Sequence, residues 1–389
     1  MQQNGKLFLL VTLGFLTAFG PFVTDMYLPC LPSQAAYFMT TASRVQLGLT
    51  TSMIGLAAGQ LFVGPISDKI GRRRPLIACM LLFIAGSVAC CLAPDILSFI
   101  IFRLFQGLGG AGGIVIAKSV ATDMYSGKEL AKFMAMIGAV NGVAPIAAPV
   151  IGGMLMKVTD WRGIFVVLIA IGIILLALSL RLKESLPAER RSTRSVISVY
   201  RLFGTVMRNR FFMRYLLQQA FAMGVMFAYI ASSPFIIQQH YGHSPLMFSL
   251  CFALNGVATG SAAAITMRFN QPQNAVLFGA VGMFVLAGFT ALCLAFDMGF
   301  WVYETTLFLL LFFVGITLPA STSLAMDSER QNAGTASAAF GAASFIFGGI
   351  VSPLVGIGNI MTSSGITIFI CATISILLVS TLLVSKFRK

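Results

Sequence analysis

The chain has 389 residues, of which 58% are hydrophobic and only 10% charged, and its mean hydropathy is +0.91. A water-soluble domain of this size has no use for that much apolar surface, so a soluble fold is excluded. The net charge of +14 would suggest nucleic acid in a soluble protein; here the placement of the basic residues, taken up below, excludes that partner.

Apolar runs of about 20 residues recur from end to end, each long enough to cross a bilayer as a helix. In chain order the predicted spans are 6–28, 45–66, 75–93, 96–118, 131–156, 162–182, 212–238, 246–267, 275–296, 301–323, 333–357 and 361–384. Twelve spans predict an all-α membrane protein, and for such a chain a transporter is favoured over a membrane enzyme. The first span exceeds the apolar stretch of a signal peptide and no small-residue cleavage site follows it, so it reads as a retained helix. With both termini placed in the cytoplasm, the outer loops hold only Arg44, Lys157 and Arg162, and Arg103 falls within a span; the other Lys and Arg face inward. This is the positive-inside distribution, so the basic excess is topological and the lipid bilayer is the partner it implies.

The longest polar stretch, 183–211, divides the chain into six spans at 1–182 and six at 212–389. Its arginines suit the anionic inner leaflet. Residues 196–207, with Val196, Ile197, Val199, Leu202 and Phe203 apolar, predict a short interfacial helix. Two equal halves with a cytoplasmic linker suggest alternating access around a midplane site.

Several charged and Gly/Pro-rich motifs punctuate the spans. Asp25 stands in Phe22-Val-Thr-Asp-Met-Tyr-Leu-Pro-Cys-Leu-Pro32, at the far side of span one. An ionisable group there costs several kcal/mol unless it faces a cavity or a partner, so it marks function. After span two comes Gly64-Pro-Ile-Ser-Asp-Lys-Ile-Gly-Arg-Arg-Arg-Pro75. Gly64 and Pro65 would end the helix and allow a tight turn. Asp68 can accept backbone N–H groups at a neighbouring helix N-terminus, and Arg72, Arg73 and Arg74 hold the loop inside. A plain positive-inside loop explains the arginines but not Asp68 with Gly64 and Gly71; Asp123, at the inner end of span four, is the expected partner of Arg72. Span four opens Arg103-Leu-Phe-Gln-Gly-Leu-Gly-Gly-Ala111. Gln106 shares a face with Arg103, and the glycines from Gly107 to Gly113 permit close helix approach. At 1.5 Å rise per residue Asp25 and Arg103 can reach similar depth; the alternative for Arg103 is snorkelling to the interface. Span five carries Gly138-Ala-Val-Asn-Gly-Val-Ala-Pro-Ile-Ala-Ala-Pro-Val-Ile-Gly-Gly153, in which Pro145 and Pro149 each remove a backbone hydrogen bond.

The 64–75 segment resembles the loop-2/3 signature of the major facilitator superfamily, and Arg103-x-x-Gln106-Gly107 resembles that superfamily's Arg-x-x-Gln-Gly motif. Ala148-Pro149-x-x-Gly152-Gly153 is similar to the Gly-Pro-x-x-Gly-Gly motif of its drug-efflux antiporters, with alanines at 135, 144 and 148 where that motif has glycines. Thr24-Asp-Met-Tyr-Leu-Pro-x-Leu-Pro32, Trp161-Arg162-x-x-Phe165 and Ala333-Gly-Thr-Ala-Ser-Ala338 resemble the Bcr/CflA drug-resistance branch. The second-half counterpart of the loop motif, around Met267 to Gln273, is degraded. The resemblance implies a major facilitator fold, a gating role for the loop, and export of drug-like molecules in exchange for protons across a bacterial inner membrane.

Asp25 is then the candidate proton-coupling carboxylate, with Arg103 beside it. Burial favours the neutral acid and a nearby cation the carboxylate, so separating the two would favour proton uptake; a fixed structural ion pair is the alternative. Tyr27, Gln106 and Asn141, polar within apolar helices, are expected to line the substrate cavity. Span seven adds Gln218, Gln219, Met223, Met226, Phe227 and Tyr229, of which the methionines and aromatics suit varied ligands; packing or lipid-facing roles are the alternative. Glu304, early in span ten, is a candidate second protonation or substrate-cation site. The seven cysteines show no metal-ligand spacing, and His240 and His243 fall in an outer loop. No catalytic constellation, nucleotide cradle or zinc motif is visible, so no cofactor beyond the coupling proton and no metal are expected, and a monomer is the expected working unit. Within transport the alternative substrate is a specific metabolite such as a nucleoside, sugar or amino acid, since a fold hosts many substrates. A receptor would add a soluble domain, and the loops are too short to hold one.

Overall fold

In the computed structural model the described residues are 5–191, 203–329 and 333–387, and they contain helices and no strands. Twelve of these helices are long and apolar enough to cross a membrane. In chain order they are α1 Lys6–Thr24, α2 Ala42–Ile70, α3 Arg73–Cys91, α4 Ile96–Met124, α5 Gly127–Leu155 and α6 Trp161–Arg181, then α7 Arg210–Phe235, α8 Pro245–Ile265, α9 Pro272–Ala295, α10 Phe300–Ser328, α11 Ala333–Leu354 and α12 Ile360–Phe387. Side-chain caps start several of them by satisfying orphan N–H groups. Asp95 accepts from Ser98 N (2.9 Å) at α4, Asp160 from Arg162 N (3.0 Å) at α6, and Ser244 from Met247 N (3.2 Å) at α8. Asn209 caps α7 through Phe211 N and Phe212 N, while its amide reaches Ser328 O (3.1 Å) and Glu329 Oε1 (2.6 Å).

Two compact units result, Met1–Cys30 with Thr51–Val199, and Leu31–Thr50 with Tyr200–Lys389. In the first, α4 packs on α1 and α3, α3 on α6, and α1 on α5. Glycines set the spacing around α4: a Cβ at Gly107 would meet the Ser52 carbonyl of α2, and one at Gly109 would meet the backbone of Cys79 and Phe83 in α3. Close backbone approach of this kind replaces the hydrophobic drive that lipid does not supply. In the second unit α7 packs on α10, α11 and α12, and α10 on α8 and α9. The opening part of α2 belongs here, where Gln46 Nε2 donates to Ala231 O (2.9 Å) and Thr50 Oγ1 to Gly349 O (2.9 Å).

Two departures from the sequence reading position the candidate site. Span one is interrupted. α1 stops at Thr24, a turn carries Asp25 to Tyr27, and a 3-10 turn Leu28–Cys30 and a short helix Leu31–Tyr37 follow. Pro29 and Pro32 lack the N–H that an unbroken ladder needs. Second, Gly64 and Pro65 do not end span two: α2 runs through both to Ile70, and the turn is made by Gly71 at φ +99°. That is left-handed backbone, which glycine adopts without a Cβ clash. Of the predicted interfacial helix, residues 196–202 lie outside the described residues. Residues 203–208 are helical, and Val206 is buried in a cluster with Phe212, Leu216, Ala325 and Phe340.

Candidate functional site

The first unit holds a buried polar node where α1 breaks. Asp25 is 9% exposed. Its N–H donates to Pro21 O (2.7 Å), and its Oδ1 lies 2.8 Å from the Thr24 hydroxyl, which is also 3.1 Å from Gly20 O. One hydroxyl proton is therefore shared between the carboxylate and a helix carbonyl. Among the described residues Asp25 forms no ion pair. The antiporter-motif helix α5 closes on this segment: a Cβ at Gly152 would meet the Met26 carbonyl, with Pro29 Cγ 3.3 Å away. Gly153 and Pro149 are buried beside it, Pro145 is half-buried, and α5 continues through both prolines.

Arg103 is fully buried and does not snorkel. Its Nη2 donates to Val23 O (3.1 Å) in α1, its Nη1 to Gln106 Oε1, and its guanidinium lies 4.6 Å from the Tyr27 ring centroid. Gln106 Nε2 continues to Ser87 Oγ (2.8 Å) in α3. The expected Asp25–Arg103 ion pair is thus not formed. The guanidinium ties the backbone ahead of Asp25 to α3 and α4, leaving the carboxylate to Thr24. Tyr27 and Gln106, expected in a cavity, are fully buried parts of this node, with Tyr27 also packed on Phe99 and Phe165. Asn141 is half-exposed on α5, in a stretch where a Cβ added at Gly138 or Gly142 would meet nothing within 4 Å.

At the other end of the unit the motif loop forms a second node. Arg72 is 6% exposed. Its Nε donates to Asp123 Oδ2 (2.9 Å), its Nη2 to Asp123 Oδ1 (3.3 Å), and its Nη1 to Ser67 Oγ (2.8 Å) and to Asp68. Burial alone would lower the Arg72 pKa, but the Asp123 and Asp68 carboxylates outweigh it and raise it above the ordinary guanidinium value. Ser185 Oγ adds a bond to Asp123 Oδ2 (2.9 Å), and Arg73 Nη2 reaches Leu180 O (2.6 Å) at the end of α6. The N-terminus of α3 is not met by Asp68. Glu184 takes that place, accepting from Arg72 N (2.8 Å) and Arg73 N (3.2 Å), and a Cβ at Gly71 would strike its carboxylate. Sequence reasoning missed Glu184 because the contact is long-range and a linker acid carries no local signal.

In the second unit Gln218 is fully buried and bonded to Ser321 of α10 and to Ser375 Oγ (3.1 Å) of α12, so it joins these helices. Met223 and Met226 are half-buried. Tyr229 is 3% exposed, stacks on Phe252, and accepts from Asn255 Nδ2 (3.2 Å). The same amide donates to Glu304 Oε1 (2.9 Å). Asn255 went unnoticed in the sequence, although a lone amide in an apolar span is the signal that singled out Asn141. His240, in the predicted outer loop, lies 3.0 Å from Asp297 Oδ2.

Twelve membrane-length spans with polar nodes buried between helices are the build of a multi-pass membrane protein. The family model of the Major Facilitator Superfamily matches residues 12–353, and the chain belongs to that superfamily. It is 39% identical over 362 residues to the uncharacterized MFS-type transporter YdgK of Bacillus subtilis (91% of this chain, 90% of that one). It is 31% identical over 389 residues to the bicyclomycin resistance protein homolog of Haemophilus influenzae (97% and 96%). Among solved structures, a bacterial homolog of the human lysosomal transporter Spinster, inward-facing and unoccupied, superposes with a TM-score of 0.76 at 18% identity, covering 98% of each chain. That likeness establishes the shared fold. The protein is accordingly a multi-pass protein of a bacterial inner membrane and handles small molecules within the membrane.

Proposed function

We propose that the protein is a proton-coupled efflux antiporter that exports drug-like amphipathic molecules by alternating access, with Asp25 as the coupling carboxylate. The observation that carries this reading is the state of Asp25: a carboxylate 9% exposed, at a break in a membrane helix, with a single hydroxyl donor and no ion pair among the described residues. A charge so placed costs several kcal/mol, and taking up a proton removes that cost. Arg103 supports the role indirectly by holding Val23, so that the Asp25 turn is fixed without neutralising its carboxylate. Release of the proton restores an anion that attracts a cationic or polar substrate group, so proton and substrate compete for one charge state. The loop node of Arg72, Asp68 and Asp123 is read as the latch of the inward gate. The resistance relative supports a drug as substrate.

The test is a resistance screen in a pump-deficient host together with transport in proteoliposomes. Broad protection, abolished by a protonophore and by Asp25→Asn, is the expected result. Full proton-coupled efflux by Asp25→Asn would refute the assignment of Asp25. No protection, with altered accumulation of a single metabolite, would refute the drug substrate.

A further inference from the structure

We infer that Glu304 is a second proton-binding site, which in its protonated form makes a carboxylic acid–amide pair with Asn255. Glu304 is 5% exposed in α10, Asn255 1% exposed in α8 and Tyr229 3% exposed in α7. One half of an acid–amide pair is already built: Asn255 Nδ2 donates to Glu304 Oε1 at 2.9 Å. Among the described residues, the remaining atoms of the two planar groups, Glu304 Oε2 and Asn255 Oδ1, are both buried without a nitrogen or oxygen hydrogen-bond partner, and the Cys251 thiol adds only a weak contact to the carboxyl.

Both orphans are acceptors, and two acceptors cannot satisfy each other. A buried polar atom left without a partner is destabilising, and here two are left within one pair. A single proton added to Oε2 turns it into a donor, which Oδ1 as an acceptor can take up. It removes both deficits and the buried charge in one step, with no bond broken. The titratable groups around the carboxyl supply no compensating cation. They are the Cys251 thiol on α8, a weak donor, the Tyr229 phenol on α7 and the Tyr303 phenol on α10, with Cys293 of α9 and Tyr241 of the α7–α8 connection beyond Tyr303. No Lys, Arg or His pairs with Glu304 among the described residues.

The sequence left a proton and a substrate cation as alternative occupants of Glu304. Near-complete burial of all three polar side chains favours the proton, because an ammonium group needs room that this closed cluster does not give. The inference does not rest on Asp25: the two carboxylates lie in different units and can fail independently.

The experiment is infrared difference spectroscopy of the purified full-length protein in lipid nanodiscs, titrated in pH and repeated in D2O. The Asp25→Asn background removes the other buried span acid. A protonated-carboxyl C=O band that persists in Asp25→Asn and is lost in Asp25→Asn/Glu304→Gln is the expected result. Asn255→Leu in the same background is expected to move that band to higher wavenumber, because the carbonyl loses its N–H donor. Identical spectra for Asp25→Asn and Asp25→Asn/Glu304→Gln would overturn the inference and favour a permanently ionised, cation-binding Glu304. A band that Asn255→Leu leaves in place would overturn the acid–amide pair.

Discussion

Replacing Arg72 by Ala tests whether the loop node is held by its buried pair or by its exposed one. The Arg72 side chain is 7% exposed and that of Asp123 13%, whereas that of Asp68 is 50% exposed. Removing one partner of a buried pair strands the other charge, at a cost of roughly 3–5 kcal/mol. Asp123 keeps the Ser185 hydroxyl at 2.9 Å, which places Arg72→Ala at the low end, about 3 kcal/mol. Asp68→Asn removes a half-exposed contact, for which less than about 1 kcal/mol is expected. In the double-mutant cycle of Arg72→Ala with Asp123→Ala, a coupling of about 1.5–3 kcal/mol is expected, because the second change removes the charge that the first one stranded. The measurement is denaturant unfolding of the purified protein in mixed micelles, with wild type and both single variants as references. Asp68→Asn as damaging as Arg72→Ala, or a coupling near zero, would refute the argument.

Other expected outcomes follow from the same geometry. Arg103→Lys keeps the charge but cannot hold Val23 O and Gln106 Oε1 in one planar group; a loss of about 1–3 kcal/mol on unfolding is expected, with transport impaired although the charge is conserved. Gly152→Ala places a Cβ against the Met26 carbonyl and should destabilise by about 1–3 kcal/mol. Gly142→Ala, with nothing within 4 Å, should be neutral or stabilise the helix, by about 0.5–1 kcal/mol; comparing the two melting midpoints checks both. Gly71→Ala forces an L side chain to φ +99° and should cost about 1–3 kcal/mol, read as a lowered unfolding midpoint relative to Gly138→Ala.

The number of spans, their order and the family were legible because each depends on composition over about 20 residues and on short motifs. Arg72 with Asp123 was legible too, since a buried guanidinium needs an acid and few acids exist. What failed was of a different kind. Gly64-Pro65 reads as a stop, yet α2 passes through it to Ile70, and the turn falls at Gly71, whose left-handed backbone glycine alone adopts readily. Asp25 and Arg103 read as a pair because both are rare charges at similar depth. The sequence does not reveal that a backbone carbonyl, Val23 O, takes the guanidinium instead. Tyr27, Gln106 and Gln218 read as cavity groups because they are polar, but polarity serves equally to join helices in lipid. Glu184 became visible only when segments distant in the chain were brought together, whereas Asn255 carried the same signal as Asn141, a lone amide in an apolar span.

The capping of α3 by Glu184 also bears on how this polypeptide can be divided. Glu184 and Ser185 follow α6 closely in the chain, yet Glu184 closes the turn between α2 and α3 and Ser185 binds the Asp123 carboxylate that holds Arg72. A protease site, a fluorescent protein or a break between separately expressed fragments placed before Glu184 would strip the first six helices of two of their own fastenings. The same insertion placed beyond Leu186, whose N–H also meets the Glu184 carboxylate at 3.1 Å, leaves them intact. The seam of the molecule, in the sense useful for splitting or labelling it, therefore begins several residues later than the last apolar turn of α6.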